Sequence, residues 1–257
     1  MHALQRAAIS TGAVALVLGV WQLSGSLHWI DPLLLPPPTE ILHSTAEIIE
    51  GGYRQVPLSH HILISVLRAS LAFIAAIIIG IPLGLAMGLS PVTSAILDPF
   101  VQFLRPLPKI ALIPLTVVWF GIDEGSKFFL IFISCFLSVT VSAAAAVAGV
   151  SKNRLRAAQS LGANRRQLFT RVVLPNALPE IFTGVRLSIG IGWTSLIAAE
   201  MVAATSGLGW MVINAGTYLR TDVVMLGILL LGGIGYLFDY LLVLLQRSFI
   251  PWAGRES

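Results

Sequence analysis

Residues 156–175, RAAQSLGANRRQLFTRVVLP, hold four arginines and no acidic residue. They stand in a chain of 257 residues that is 56% apolar and only 11% charged. A soluble domain of this length needs far more charge to cover its surface. On either side of the stretch lie uncharged apolar runs of about 20 residues, the length that crosses a bilayer as a helix. Mean hydropathy over the chain is +0.87. The pattern is that of an all-α polytopic membrane protein, since a β-barrel would alternate apolar and polar residues instead.

Working outward from this loop, the hydropathy predicts six transmembrane helices, at about 7–27, 62–89, 96–122, 128–150, 182–205 and 223–245. The third is interrupted by prolines. The first is too long for the apolar core of a signal peptide and no small-residue cleavage site follows it, so it reads as a retained helix. The polar loop 151–181 lies between the fourth and fifth helices. One membrane domain, 1–257, accounts for the whole chain, with an outer segment at 28–61.

Lysine and arginine set the orientation. One face holds Arg6, Lys152, Arg154, Arg156, Arg165, Arg166, Arg171, Arg247 and Arg255; the other holds only Arg54, Lys127 and Arg220. Nine against three places both termini and the 151–181 loop in the cytoplasm. This asymmetry explains the formal charge of +4 without any nucleic-acid partner. Cys135, the single cysteine, lies in an apolar run and reads as a packing residue.

Apolar helices gain little from each other in lipid, so close packing comes from small residues. The second helix carries Ala72, Ala76, Gly80, Gly84 and Gly88; the fourth carries Ser134, Ser138, Ser142 and Ala146; the fifth carries Gly184, Ser188 and Gly192, with Ser195, Ala199 and Ala203 beside them. Each series falls on one helix face. These three helices are the predicted core, and the first helix is peripheral. In the outer segment Thr39 is expected to cap a short helix over 40–50, ended by Gly51-Gly52. Asp98-Pro99 reads as a helix start. Trp21, Trp29, Trp119, Trp210 and Trp252 fall near predicted interfaces and read as belt anchors.

Within 151–181, LRAAQSLGA favours helix, with Gly162 as a left-handed terminator. NRRQLFTRVVLP predicts a second short helix, capped by Asn164 and limited by Pro175. The result is a knob whose apolar face is Leu161, Leu168, Phe169 and Val172. Such a face on a cytoplasmic projection suits docking into another protein.

This loop resembles the signature loop of ATP-binding-cassette importer permeases: Glu-Ala-Ala, three residues, Gly, nine residues, Ile, any residue, Leu-Pro. The matching positions are Ala157, Ala158, Gly162, Val172, Leu174 and Pro175, at both spacings. Arg156 replaces the Glu and Val172 replaces the Ile. The segments LPPPTEIL, IPLGLAMGLS, DPFVQFLRPLPKIALIPLTVVWFGI, LPNALPEIFTGVRLSIGIGWTSLIAAEM and GLGWMV are similar to permeases that import taurine, alkanesulfonates and nitrate, closest to the taurine-importing members. The resemblance implies a type I importer fold whose coupling helix lies between helices four and five. It assigns ATPase coupling to Arg156, Ala157, Ala158, Leu161, Gly162, Ala163, Leu168, Phe169, Val172, Leu174 and Pro175. It implies a second permease copy, two cytoplasmic ATPase subunits and an outer solute-binding protein. The bacterial cytoplasmic membrane is the expected location.

The chain has no Gly-x-x-x-x-Gly-Lys-Ser/Thr loop, so ATP and magnesium are expected on the partner, and this chain is expected to bind no cofactor and to be no enzyme. A charge at the bilayer centre costs roughly 2.5–3.5 kcal/mol on insertion scales. Arg105, amid Pro106, Pro108 and Pro114, therefore either lines the path, giving an anion a transient contact, or binds freed carbonyls or a buried carboxylate; Lys109 either lines the path beside it or snorkels to an interface. Thr194, Ser195 and Glu200 are the other path candidates, with Glu200 expected to pair with Arg68 or Arg105. Asp239 is expected to bond Tyr236 or a helix end. Gly207, Leu208, Gly209 and Trp210 are the outer-gate candidates by resemblance. An ion-coupled secondary transporter is the alternative from another class, resting on Glu200 and Asp239. His28, His43, His60 and His61 are too scattered to predict a metal site.

Overall fold

The computed structural model describes residues 3–252. His2 and Arg255, with the side chain of Arg6, lie outside what is described. The chain forms α1 (Ala3–Ser26), α2 (Pro38–Gly51), α3 (Leu58–Leu89), α4 (Pro91–Leu104), α5 (Ile113–Phe120), α6 (Glu124–Ala148), α7 (Lys152–Ser160), α8 (Arg165–Leu168), α9 (Leu174–Ala203), α10 (Leu208–Thr217) and α11 (Thr221–Phe249). A tight 3-10 turn, Lys109–Leu112, precedes α5, and a wide π turn, Phe169–Val173, precedes α9. Five helical stretches among the described residues are long and apolar enough to cross a membrane, or six if α4 and the Lys109–Phe120 stretch form one broken span. These two pieces meet at 91°.

The chain divides into two compact units. The first joins Met1–Ile64 to Thr205–Gly232. In it α1 meets α2 by a cap supplied from outside the helix. Gln22 Oε1 accepts the Thr39 amide at 3.2 Å, and Gln22 Nε2 donates to the Thr39 hydroxyl at 3.1 Å. Thr39 is therefore not the cap. The helix starts at Pro38, whose ring fixes φ for a first helical residue. Gly52, at φ +74°, ends it as expected.

The second unit joins Ser65–Ala204 to Gly233–Ser257. Its centre is α3, α6 and α9, as the small-residue series predict. A Cβ on Gly84 would fall on the Thr140 carbonyl and lie 2.7 Å from Ala143 Cβ; one on Gly88 would lie 2.7 Å from Val147 Cβ. A Cβ on Gly184 would fall on that of Ser142. These backbones approach too closely for any side chain, which is how helices adhere without hydrophobic drive. Cys135 is fully buried there.

Three expectations are corrected. Asp98 does not start a helix: Ser90 caps Thr93 N at 3.2 Å with Pro91 at the first helical position, and Asp98 accepts from Ser94 inside α4. An earlier Ser-Pro pair supplies the same start signal. Asp239 bonds neither Tyr236 nor a helix end. It takes both arms of Arg186 at 2.8 Å, a fork that fits a carboxylate better than a phenol does. Pro175 does not end the second knob helix. Leu174 N bonds Phe169 O, five residues back, and this widened turn accommodates the proline ring, so helix continues from Arg165 to Val202.

Candidate functional site

The knob follows from its sequence. α7 ends where Gly162 adopts φ +83°, a left-handed conformation that glycine takes without strain. Asn164 then opens α8 with a capping box: its side chain accepts from Gln167 N at 2.9 Å, and Gln167 Oε1 accepts from Asn164 N at 3.0 Å. Arg156, Ala157 and Gly162 are exposed, and Leu161 is 89% exposed at the tip. Ala158, Ala163, Leu168, Phe169, Val172, Leu174 and Pro175 are half-buried. The knob root is tied twice. Arg154 donates to the Asn176 side chain, and Trp252 Nε1 donates to the Pro175 carbonyl at 3.2 Å. Asn176 Nδ2 in turn donates to the Val172 carbonyl at 2.6 Å.

At the bend after α4, Lys109 rather than Arg105 takes the freed carbonyls. Its ammonium donates to the carbonyls of Arg105 (2.6 Å), Leu107 (2.8 Å) and Leu104 (3.2 Å). Pro106 and Pro108 supply no amides here, and three ammonium protons fill the gap. Arg105 is exposed and has no carboxylate partner among the described residues.

Of the other path candidates, Glu200 and Ser195 are buried and Thr194 is exposed. Glu200 is fully buried. It accepts from Ser65 Oγ at 2.7 and 2.9 Å and from Arg68 Nη1 at 2.8 Å. Arg68 also grips Glu124 with Nε (2.5 Å) and Nη2 (2.6 Å), and Lys127 Nζ completes the set at 3.1 Å from Glu124. Two cations and two carboxylates thus bind α3, α6 and α9 into a neutral cluster. Of the two partners expected for Glu200, Arg68 or Arg105, the structure selects Arg68; Ser65, Glu124 and Lys127 were not anticipated. Ser195 is buried and Thr194 exposed, and both hydroxyls bond the Ile191 carbonyl of their own helix.

In the first unit, Gly207, Leu208 and Gly209 are buried and Trp210 is half-buried. Trp210 stacks on His61 at 5.7 Å and 9°, so it does more than anchor a belt. His61 Nδ1 accepts the Gly207 amide at 3.0 Å. Gly207 has φ +123°, a value that side chains rarely permit. Tyr53 donates to Asn214 Oδ1 at 2.9 Å, and burial pushes its phenol up, which keeps the donor proton in place. Among the described residues no cluster of three metal-ligating side chains occurs.

Comparison with known proteins decides the family. Residues 76–252 match the family described as "Binding-protein-dependent transport system inner membrane component". The chain belongs to this family. The permease is 47% identical to the taurine transport system permease protein TauC of Escherichia coli (strain K12), over 96% of its own length and 90% of that protein's. It is 35% identical to the putative aliphatic sulfonates transport permease protein SsuC of Bacillus subtilis (strain 168), over 93% and 85%. Its fold is similar to that of a chain from a crystal structure of an amino acid ABC transporter, with a TM-score of 0.57, 15% identity, and coverage of 83% of the permease and 97% of that chain. The permease is therefore a multi-pass transport subunit of an ATP-driven importer. It works with a solute-binding protein and with a separate ATPase.

Proposed function

We propose that the permease forms the translocation path for a small organic sulfonate such as taurine. Its 47% identity to TauC across nearly the whole chain carries this reading. Two copies assemble as a homodimer, with both termini and the knob in the cytoplasm. Each knob seats in one of two ATPase subunits, which bind ATP and magnesium, so the chain itself needs no cofactor. Seating uses Arg156, Ala157, Ala158, Leu161, Gly162 and Ala163 at the tip. Leu168, Phe169, Val172, Leu174 and Pro175 form the stem that moves with α9.

Arg105 supports the dimer. A cation facing lipid near mid-span costs roughly 2.5–3.5 kcal/mol. An exposed Arg105 between exposed Phe103 and Ile110 is favoured where a second copy encloses a wet path. There it offers a sulfonate a brief charge-assisted contact. Lys109 and Glu200, both engaged in bonds, shape the path rather than meet solute. Gly207, Leu208, Gly209 and Trp210 serve as the outer gate.

Gly162 offers the test. Nothing lies within 4 Å of a Cβ built there, so a Gly162→Val variant loses the left-handed turn without clashing inside the permease. The variant is expected to fold, to lose co-purifying ATPase, and to lose ATP-dependent taurine uptake in proteoliposomes by at least about tenfold. Normal uptake would count against seating at the knob. Uptake of nitrate but not taurine by the unaltered complex would move the solute assignment.

A further inference from the structure

We propose that Trp252 is a strut that fastens the C-terminal end of α11 to the root of the coupling knob, and that it acts in coupling ATP hydrolysis to transport. Two prolines four residues apart, Pro175 and Pro179, create the need for this contact. In a helix the Pro175 carbonyl would accept the amide of residue 179, but residue 179 is proline and has no amide. The Pro175 carbonyl in the first turn of α9 therefore lacks its regular helical donor. Trp252 Nε1 supplies the missing donor at 3.2 Å. Indole has one donor and no acceptor role here, so its partner is specific.

The contact is placed by anchoring, not by packing around the ring. Ile250, two residues before, is 1% exposed, whereas Trp252 is 42% exposed. The indole stands at the edge of an open groove of about 420 Å³ lined by Pro175, Asn176, Pro179 and Trp252. One hydrogen bond thus fixes its direction. At the next residue of the same turn, Arg154 of α7 bonds Asn176. The knob root is consequently joined to the first knob helix and to the end of the last helix at adjacent residues, 176 and 175. A tilt of the knob about the wide turn Phe169–Val173 reaches α11 directly, as well as through α9.

This inference rests on the reading that the knob seats in the ATPase. Three variants of the full transporter in proteoliposomes test it. Trp252→Phe keeps the ring and removes the donor. Pro179→Ala restores the missing amide, which competes with Trp252 for the Pro175 carbonyl and weakens the indole's hold on it. The third combines both. The readout is solute transported per ATP hydrolysed, measured beside ATPase co-purification and thermal midpoint.

Both single variants are expected to lower the ratio by roughly two- to tenfold, the range spanned by one net hydrogen bond. ATPase retention and thermal midpoint stay unchanged, and the double variant is no worse than either single one. An unaltered ratio in Trp252→Phe overturns the strut. So does a loss confined to thermal stability, or full additivity in the double variant. Failure of the seating reading looks different: the Gly162→Val variant would retain its ATPase whatever Trp252 does.

Discussion

At the scale of single residues, the neutral cluster of Arg68, Glu124, Lys127 and Glu200 is the most consequential polar feature of the second unit. A buried ion pair is weak support for stability, yet removing one partner strands the other. Glu200 is fully buried, with Arg68 and Ser65 as donors. Arg68→Met is therefore expected to destabilise by on the order of 3–5 kcal/mol, read as a large fall in the thermal midpoint of detergent-purified transporter. Joint Arg68→Met, Glu200→Gln replacement is expected to recover much of that loss, because the buried charge goes with its partner. A single variant as stable as the parent would show that water reaches Glu200. The sequence reading indicated that Glu200 needs a basic partner, because an acid and a base in apolar runs need each other, but it left Arg68 and Arg105 as equal choices. It missed Ser65, Glu124 and Lys127, since Glu124 and Lys127 sit at a helix start where charge is ordinary.

At the scale of elements, glycines separate packing from mere composition. Gly84 and Gly190 look alike in sequence, each within an apolar helix. A Cβ on Gly84 meets the Thr140 carbonyl and Ala143, whereas one on Gly190 meets nothing within 4 Å. Gly84→Ala is expected to lower the thermal midpoint by several degrees and Gly84→Leu to abolish assembly. Gly190→Ala should be neutral or slightly stabilising, since alanine favours helix over glycine by about 1 kcal/mol. Equal effects at the two sites would refute the close approach of α3 and α6. The four-residue spacing made this packing legible, because helix geometry alone places such residues on one face. The bend after α4 was legible as a break from its prolines, but its freed carbonyls were expected to fall to Arg105 and are taken by Lys109. The wide turn before Pro175 was not legible. Proline ends most helices, and only the Leu174–Phe169 bond reveals that a π turn lets the helix pass.

At the scale of the whole molecule, the permease reads as a membrane machine with an external motor. The apolar helices, the core trio and the protruding polar knob were accessible from apolar run length, small-residue period and one polar loop; the count of six holds where α4 and the Lys109–Phe120 stretch make one broken span, and is otherwise five. The dependence of the knob on the C-terminal segment was hidden, because Pro179 and Trp252 are far apart in sequence and no local pattern links them. Solute choice is also faint in this chain, since Arg105 is the one exposed cation at the bend and suits many anions.

The most direct test places a photo-crosslinking side chain at Leu161, the knob tip, in the intact transporter in cells. The expected result is an adduct with the ATPase subunit that is lost in the Gly162→Val background. Labelling of residue 161 by a membrane-impermeant reagent added outside, with no ATPase adduct in any nucleotide state, would contradict it.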